Sequence, residues 1–132
     1  MLIAYSDFPP LFSLLCILSS FIISKFDIEV RYKKMLRDFF LGIVKIQILY
    51  HANRTPVFGK GLMHELSHHG YPIGPGTLYP ILHGLEKDKL IQSYKENVGG
   101  KIRRYYRITS PGKKALLDAQ SKISELVKEI LI

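Results

Sequence analysis

Apolar residues recur at helical spacing between residues 39 and 50, where Phe39, Phe40, Ile43, Val44, Ile46, Leu49 and Tyr50 mark one broad face. This pattern predicts a helix from Met35 to His51 or Asn53, after which Asn53, Thr55, Pro56 and Gly59 punctuate a loop. Residues 56–58 leave room only for a strand stub. A second helix is expected over residues 61–69, burying Leu62, Met63 and Leu66 and stopping at Gly70, which enters the left-handed conformation without a Cβ penalty. Pro75 is suited to open a third helix, where its missing N–H would be unpaired anyway. There Leu78, Ile81, Leu82 and Leu85 share one face. Gly76, Pro80, His83 and Lys87 fall opposite, with Thr77 and Tyr79 flanking the exposed strip.

The period then changes from helix to strand. Residues 90–96 and 102–109 read as two strands joined through residues 97–101. In the second, Ile102, Tyr106 and Ile108 are expected to pack while Arg103, Tyr105 and Arg107 form a basic face. Thr109 or Ser110 caps a last helix, in which Leu116, Ala119, Ile123, Leu126 and Ile130 follow alternating steps of three and four residues. A terminal helix with such a seam has little domain left to pack on, so it is expected to pack on another chain. The order of elements is that of a winged helix-turn-helix, mainly α with a two-stranded β wing, plus a C-terminal dimerisation helix. Three segments result: an apolar N-terminal extension (1–34), a winged helix domain (35–110) and a dimerisation helix (111–132).

Composition narrows the class of partner. The chain has 132 residues, 47% of them hydrophobic, and a formal charge of +8. That balance favours a polyanion, either nucleic acid or an anionic membrane surface. Residues 35–132 hold fifteen of the 19 basic and eight of the 11 acidic side chains, so the excess belongs to the segment with the hairpin. A single cysteine, Cys16, excludes an intramolecular disulfide and a Cys-based zinc site. Residues 8–24 carry no charge, but a spanning helix wants about 20 apolar residues and this run is interrupted by serines and two prolines. It reads as an accessory helix, an over-long start with Met35 as the first residue, or, in the membrane-tethered alternative, an anchor. A cytoplasmic location is expected in each case.

The sequence YPIGPGTLYPIL at residues 71–82, followed by LEKD at 85–88 and RRYYRIT at 103–109, closely resembles the PadR family of transcriptional regulators. The resemblance covers residues 35–132. It implies a homodimer on a two-fold symmetric operator, repression, and release of double-stranded DNA when a small-molecule effector binds. Two departures stand out. Lys89 occupies a position where many relatives carry glycine, implying about 1 kcal/mol of left-handed strain. The absence of tryptophan means that a drug pocket built from stacked indoles is not carried over.

The candidate DNA-binding residues are Gly76, Thr77, Tyr79, His83 and Lys87 on the third helix, with Gly100, Lys101 and Arg103 on the wing. A helix start offers amides to phosphate, and arginine is favoured in a narrow minor groove. Phe39, Phe40, Leu116, Ile123, Leu126 and Ile130 are the candidate dimerisation residues. The rival motif is His64-Glu65-Leu66-Ser67-His68, the H-E-x-x-H pattern of zinc peptidases. Its third ligand would have to be His83 or Glu86, both within the third helix, and His69 reads as a packed core histidine. No enzyme activity, cofactor or metal site is therefore expected.

Overall fold

The computed structural model describes residues 10–131, with side chains described from Glu29 onward. The elements are α1 (Pro10–Arg54), β1 (Val57–Phe58), α2 (Gly59–His68), α3 (Pro75–Lys87), β2 (Ile91–Val98), β3 (Lys101–Ile108) and α4 (Ser110–Ile130). Two compact units divide the chain, Met1–Phe40 and Leu41–Ile132. In the first, the described side chains from Glu29 to Phe39 are exposed, and Glu29 and Lys33 form an ion pair of 3.1 Å across one turn. α1 thus begins well before the expected Met35 and runs through that residue without a break. The side chains of the apolar run 8–24 lie outside the described residues. Among the described residues, no helix is long and apolar enough to cross a membrane.

The core belongs to the second unit. It joins Val44, Ile48, Leu49 and Ala52 of α1, Leu62 and Leu66 of α2, Leu78, Ile81, Leu82 and Leu85 of α3, Ile91, Tyr106 and Leu116. The α3 residues are the four that the sequence periodicity selects. α1 differs from its expected single face, because Ile43 and Ile46 are half-buried and Tyr50 is exposed. The helix is apolar on two sides, and only the Val44, Ile48, Leu49 side meets the helix-turn-helix core. Met63 is half-buried beside the two buried leucines of α2.

α2 and α3 end with the same hydrogen-bond arrangement. After α2, the Tyr71 amide donates to the Leu66 carbonyl and the Gly70 amide to that of Ser67. After α3, the Leu90 amide donates to Leu85 and the Lys89 amide to Glu86. Both are Schellman stops, which require a left-handed residue just past the cap. Gly70 meets that requirement at φ 84°, and Lys89 is held at φ 62°. The strain expected at Lys89 is therefore present, and the hydroxyl of Thr109, which donates to the Lys89 carbonyl at 2.6 Å, helps hold it. Lys89→Gly is expected to stabilise the protein by about 0.5 kcal/mol, since relief of the left-handed strain outweighs the added freedom of the unfolded chain. Urea unfolding followed by circular dichroism would show this as a higher midpoint.

The sheet is antiparallel in the order β1-β3-β2. β2 and β3 pair from Ile91 opposite Ile108 to Val98 opposite Lys101. The turn is tighter than the expected residues 97–101, consisting of Gly99 and Gly100 at φ 59° and 82°, the double positive φ of a type I′ hairpin. The strand stub is not isolated: Val57 pairs with Tyr106 and Phe58 with Tyr105, adding a third strand to the expected two. Thr109 caps α4 through its hydroxyl, which accepts from the Gly112 amide at 3.1 Å. The Thr109 amide donates to the Leu90 carbonyl, tying the start of α4 to the strand region.

Candidate nucleic-acid interface

α3 starts at Pro75 after the extended Gly74, and no side chain caps it. The Thr77 and Leu78 amides donate to the Gly74 carbonyl, and no acidic residue in the first turn masks the positive end of the helix dipole. Along the outer face Gly76, Tyr79, Pro80, His83 and Lys87 are exposed, while Thr77 is half-buried. Tyr79, His83 and Lys87 follow four-residue steps and so form one stripe. The Tyr79 ring lies against Gly59 at the start of α2, leaving no room there for a Cβ. That contact fixes the ring at the edge of the α3 face.

The wing is stiffened by a row of three aromatic rings with a cationic group at each end. The Arg103 guanidinium lies 4.1 Å from the centre of the Phe58 ring. Phe58 meets Tyr105 edge-on at 5.7 Å, and Tyr105 stacks on Tyr94 at 5.7 Å with an 18° tilt. Arg107 closes the series 5.3 Å from the centre of Tyr94. Such contacts are worth roughly 0.5–1.5 kcal/mol each and orient the arginines without neutralising them. Tyr106 is buried as expected, but Ile102 is 75% exposed and does not pack. The hairpin tip extends past the core, so strand alternation there separates two solvent faces rather than a wet face from a dry one.

Tyr79, Lys101 and Arg103, expected from the sequence on separate elements, line one cleft together with Phe58, Lys60, Ile102 and Arg104. Among the described residues, none of its four cations is in an ion pair. Burial pushes the Tyr106 hydroxyl above its ordinary value of 10.0, while a hydrogen bond and the charge of Arg104 oppose the rise. His83 and Lys87 lie farther along α3 and Gly100 sits in the hairpin turn, so none of these three lines the cleft. Sequence reading missed Lys60 and Arg104. Lys60 stood in an expected loop, and Arg104 shares the strand parity of buried Tyr106.

The histidines of the H-E-x-x-H pattern are exposed on α2, with the Nε2 atoms of His64 and His68 3.2 Å apart. Glu86, one of the two expected third ligands, accepts a hydrogen bond of 2.8 Å from the Ser93 hydroxyl. His69 is not a packed core residue. It is exposed and approaches Glu65 at 3.9 Å, because the Schellman stop turns the chain outward at that point. The partly buried histidine is His51, in the last turn of α1, whose ring centre is 5.6 Å from that of His69. Burial lowers the His51 pKa from its ordinary 6.5; Glu65 opposes that shift, and His69 and Arg54 add to it.

Residues 48–118 match the Transcriptional regulator PadR-like family. The chain is 45% identical over 96 residues to the transcriptional regulator Rv3488 of Mycobacterium tuberculosis, covering 73% of this chain and 90% of that protein. A PadR family transcriptional regulator from Eggerthella lenta is 30% identical with a TM-score of 0.65, covering 82% of this chain and 93% of that one. A PadR-like transcriptional regulator from Bacillus cereus, also 30% identical, has a TM-score of 0.60 and covers 68% and 92%. With its helix-turn-helix, basic wing and these matches, the chain belongs to the PadR-like family of transcriptional regulators.

Proposed function

We propose that the protein is a sequence-specific DNA-binding repressor that acts as a homodimer on a two-fold symmetric operator and is released by a small-molecule effector. The observation that carries this reading is the cleft that Tyr79 of α3 lines together with four cations, Lys60, Lys101, Arg103 and Arg104, none of them in an ion pair among the described residues. On this reading Gly76, Thr77, Tyr79, His83 and Lys87 of α3 serve the major groove. Gly100, Lys101 and Arg103 on the hairpin serve the backbone or minor groove beside the α3 contacts, and of all these residues only Tyr79, Lys101 and Arg103 line the cleft itself. Quantitative binding of the full chain to duplexes recovered from a random pool tests the reading, which fails if affinity is no higher than for random duplex.

Dimerisation is supported by α4. Beyond Leu116 none of its described side chains is buried, and Ile123, Leu126, Val127 and Ile130 are all exposed along the seam. Exposed apolar rows of this length normally mark a contact surface. Phe39, exposed, and Phe40, half-buried, complete the proposed dimer residues, whereas Leu116, expected among them, is buried in the core of its own chain. Ile43, Ile46, Gln47, Tyr50, Leu116, Gln120 and Ile123 line an apolar cleft suited to an effector with a ring or alkyl body and one amide-bonding group. Ile123→Glu combined with Ile130→Glu is expected to convert the dimer to a monomer in sedimentation. Affinity for a two-half-site duplex should fall by about 100-fold, because the second half-site is no longer bound intramolecularly.

A further inference from the structure

We propose that His51, Glu65 and His69 bind one divalent transition-metal ion of the zinc class and so clip α1 to α2. One ligand atom from each residue lies within 4.8 Å of the other two. Tetrahedral zinc, with bonds of about 2.0–2.2 Å, holds its ligands about 3.3 Å apart, so the three groups need only small side-chain rotations. Glu65 and His69 are exposed and free to make them, and their separation is already 3.9 Å.

The second, independent observation is His51 itself. Its Nε2 is buried and has no hydrogen-bond partner. A buried imidazole nitrogen without a partner is costly in a folded protein, and a metal ion would satisfy it. The three residues line one cleft with Arg54, whose guanidinium is turned toward Tyr50, donating to its hydroxyl at 3.5 Å. Two imidazoles and one carboxylate suit zinc, cobalt or nickel better than magnesium or calcium, which prefer all-oxygen sets, and they leave a fourth position for water. This set shares only Glu65 with the H-E-x-x-H pattern. The competing pair, His64 and His68, supplies two ligands from one exposed helix and nothing from α1.

The site is independent of the DNA reading, and its test uses the full chain stripped with chelator and titrated with Co²⁺ and then Zn²⁺. One Co²⁺ per protomer, with visible absorption bands of a four-coordinate ion that zinc abolishes, is the expected result. His51→Gln and His69→Ala should each weaken binding by at least about tenfold, whereas His64→Ala combined with His68→Ala should leave it within about twofold. His69 is exposed, so its variant reports even if the His51 variant folds poorly. Absence of stoichiometric uptake would overturn the proposal. So would loss of binding in the His64 and His68 variant with retention in His69→Ala.

Discussion

Replacing Lys101 and Arg103 together by glutamine is expected to weaken duplex binding by about tenfold or more and to flatten its salt dependence. Each phosphate contact contributes about 0.9 to the slope of log affinity against log salt, so losing two should make the slope shallower by up to about 2. The physical basis is that, among the described residues, neither cation is in an ion pair, although Glu96 is the cross-strand neighbour of Arg103. Arg103 lies over the face of Phe58, which leaves its charge unneutralised, and Lys101 sits at the hairpin turn, so both charges remain available to a polyanion. Thermal unfolding provides the control, because removing the Arg103 contact with Phe58 should cost no more than about 1 kcal/mol. An unchanged salt slope would mean that the wing does not contact the backbone.

The largest effect on stability is expected at Gly112, which is buried in the first turn of α4. A Cβ there would overlap the carbonyl oxygen of Leu90 and lie 2.8 Å from Cγ1 of Ile108. The Leu90 carbonyl cannot retreat cheaply, since it accepts from the Thr109 amide, and Thr109 in turn caps α4 and bonds the Lys89 carbonyl. Gly112→Ala must therefore move the start of α4 away from the strands, breaking that set of bonds. A loss of about 3 kcal/mol or more is expected, the upper end for an overpacked site. Denaturant unfolding measures it directly, and a change below about 1 kcal/mol would show that the close approach is absent.

Much of this architecture was legible in the sequence where a single physical rule governs. The four buried residues of α3 follow from helical period alone and Gly70 from the geometry of a helix stop, whereas the α4 cap was narrowed only to Thr109 or Ser110, and the structure assigns it to Thr109. Lys89 was legible as a departure, and its left-handed φ is the corresponding strain. What the sequence hid depends on pairing across distance. Period-two alternation cannot tell where a hairpin leaves the core, so Ile102 was expected to pack and Arg104 was overlooked. A strand stub at residues 56–58 was legible but its partner was not, and its pairing with β3 places Phe58 beneath Arg103 and beside Tyr105. His51 escaped notice because its significance lies in residues 14 and 18 positions away, and a motif search is drawn instead to the adjacent H-E-x-x-H pattern.

On the proposed reading, the cleft and the α3 stripe would make different contributions to recognition. Lys60, Lys101, Arg103 and Arg104 offer charge, which binds any duplex. Tyr79, His83 and Lys87 offer hydrogen-bonding groups on one exposed helix face, which can distinguish base edges. Affinity and sequence preference should therefore separate under mutation.

The most direct measurement is selection of bound duplexes from a random pool by the wild-type chain, by His83→Ala and by the Lys101→Gln, Arg103→Gln variant. The account predicts a two-fold symmetric motif for the wild type and the same motif at lower affinity for the wing variant. For His83→Ala it predicts a relaxed preference at one position of each half-site. A pool that shows no enriched motif, or a motif that His83→Ala leaves intact while the wing variant erases it, would contradict the assignment of α3 as the reading helix.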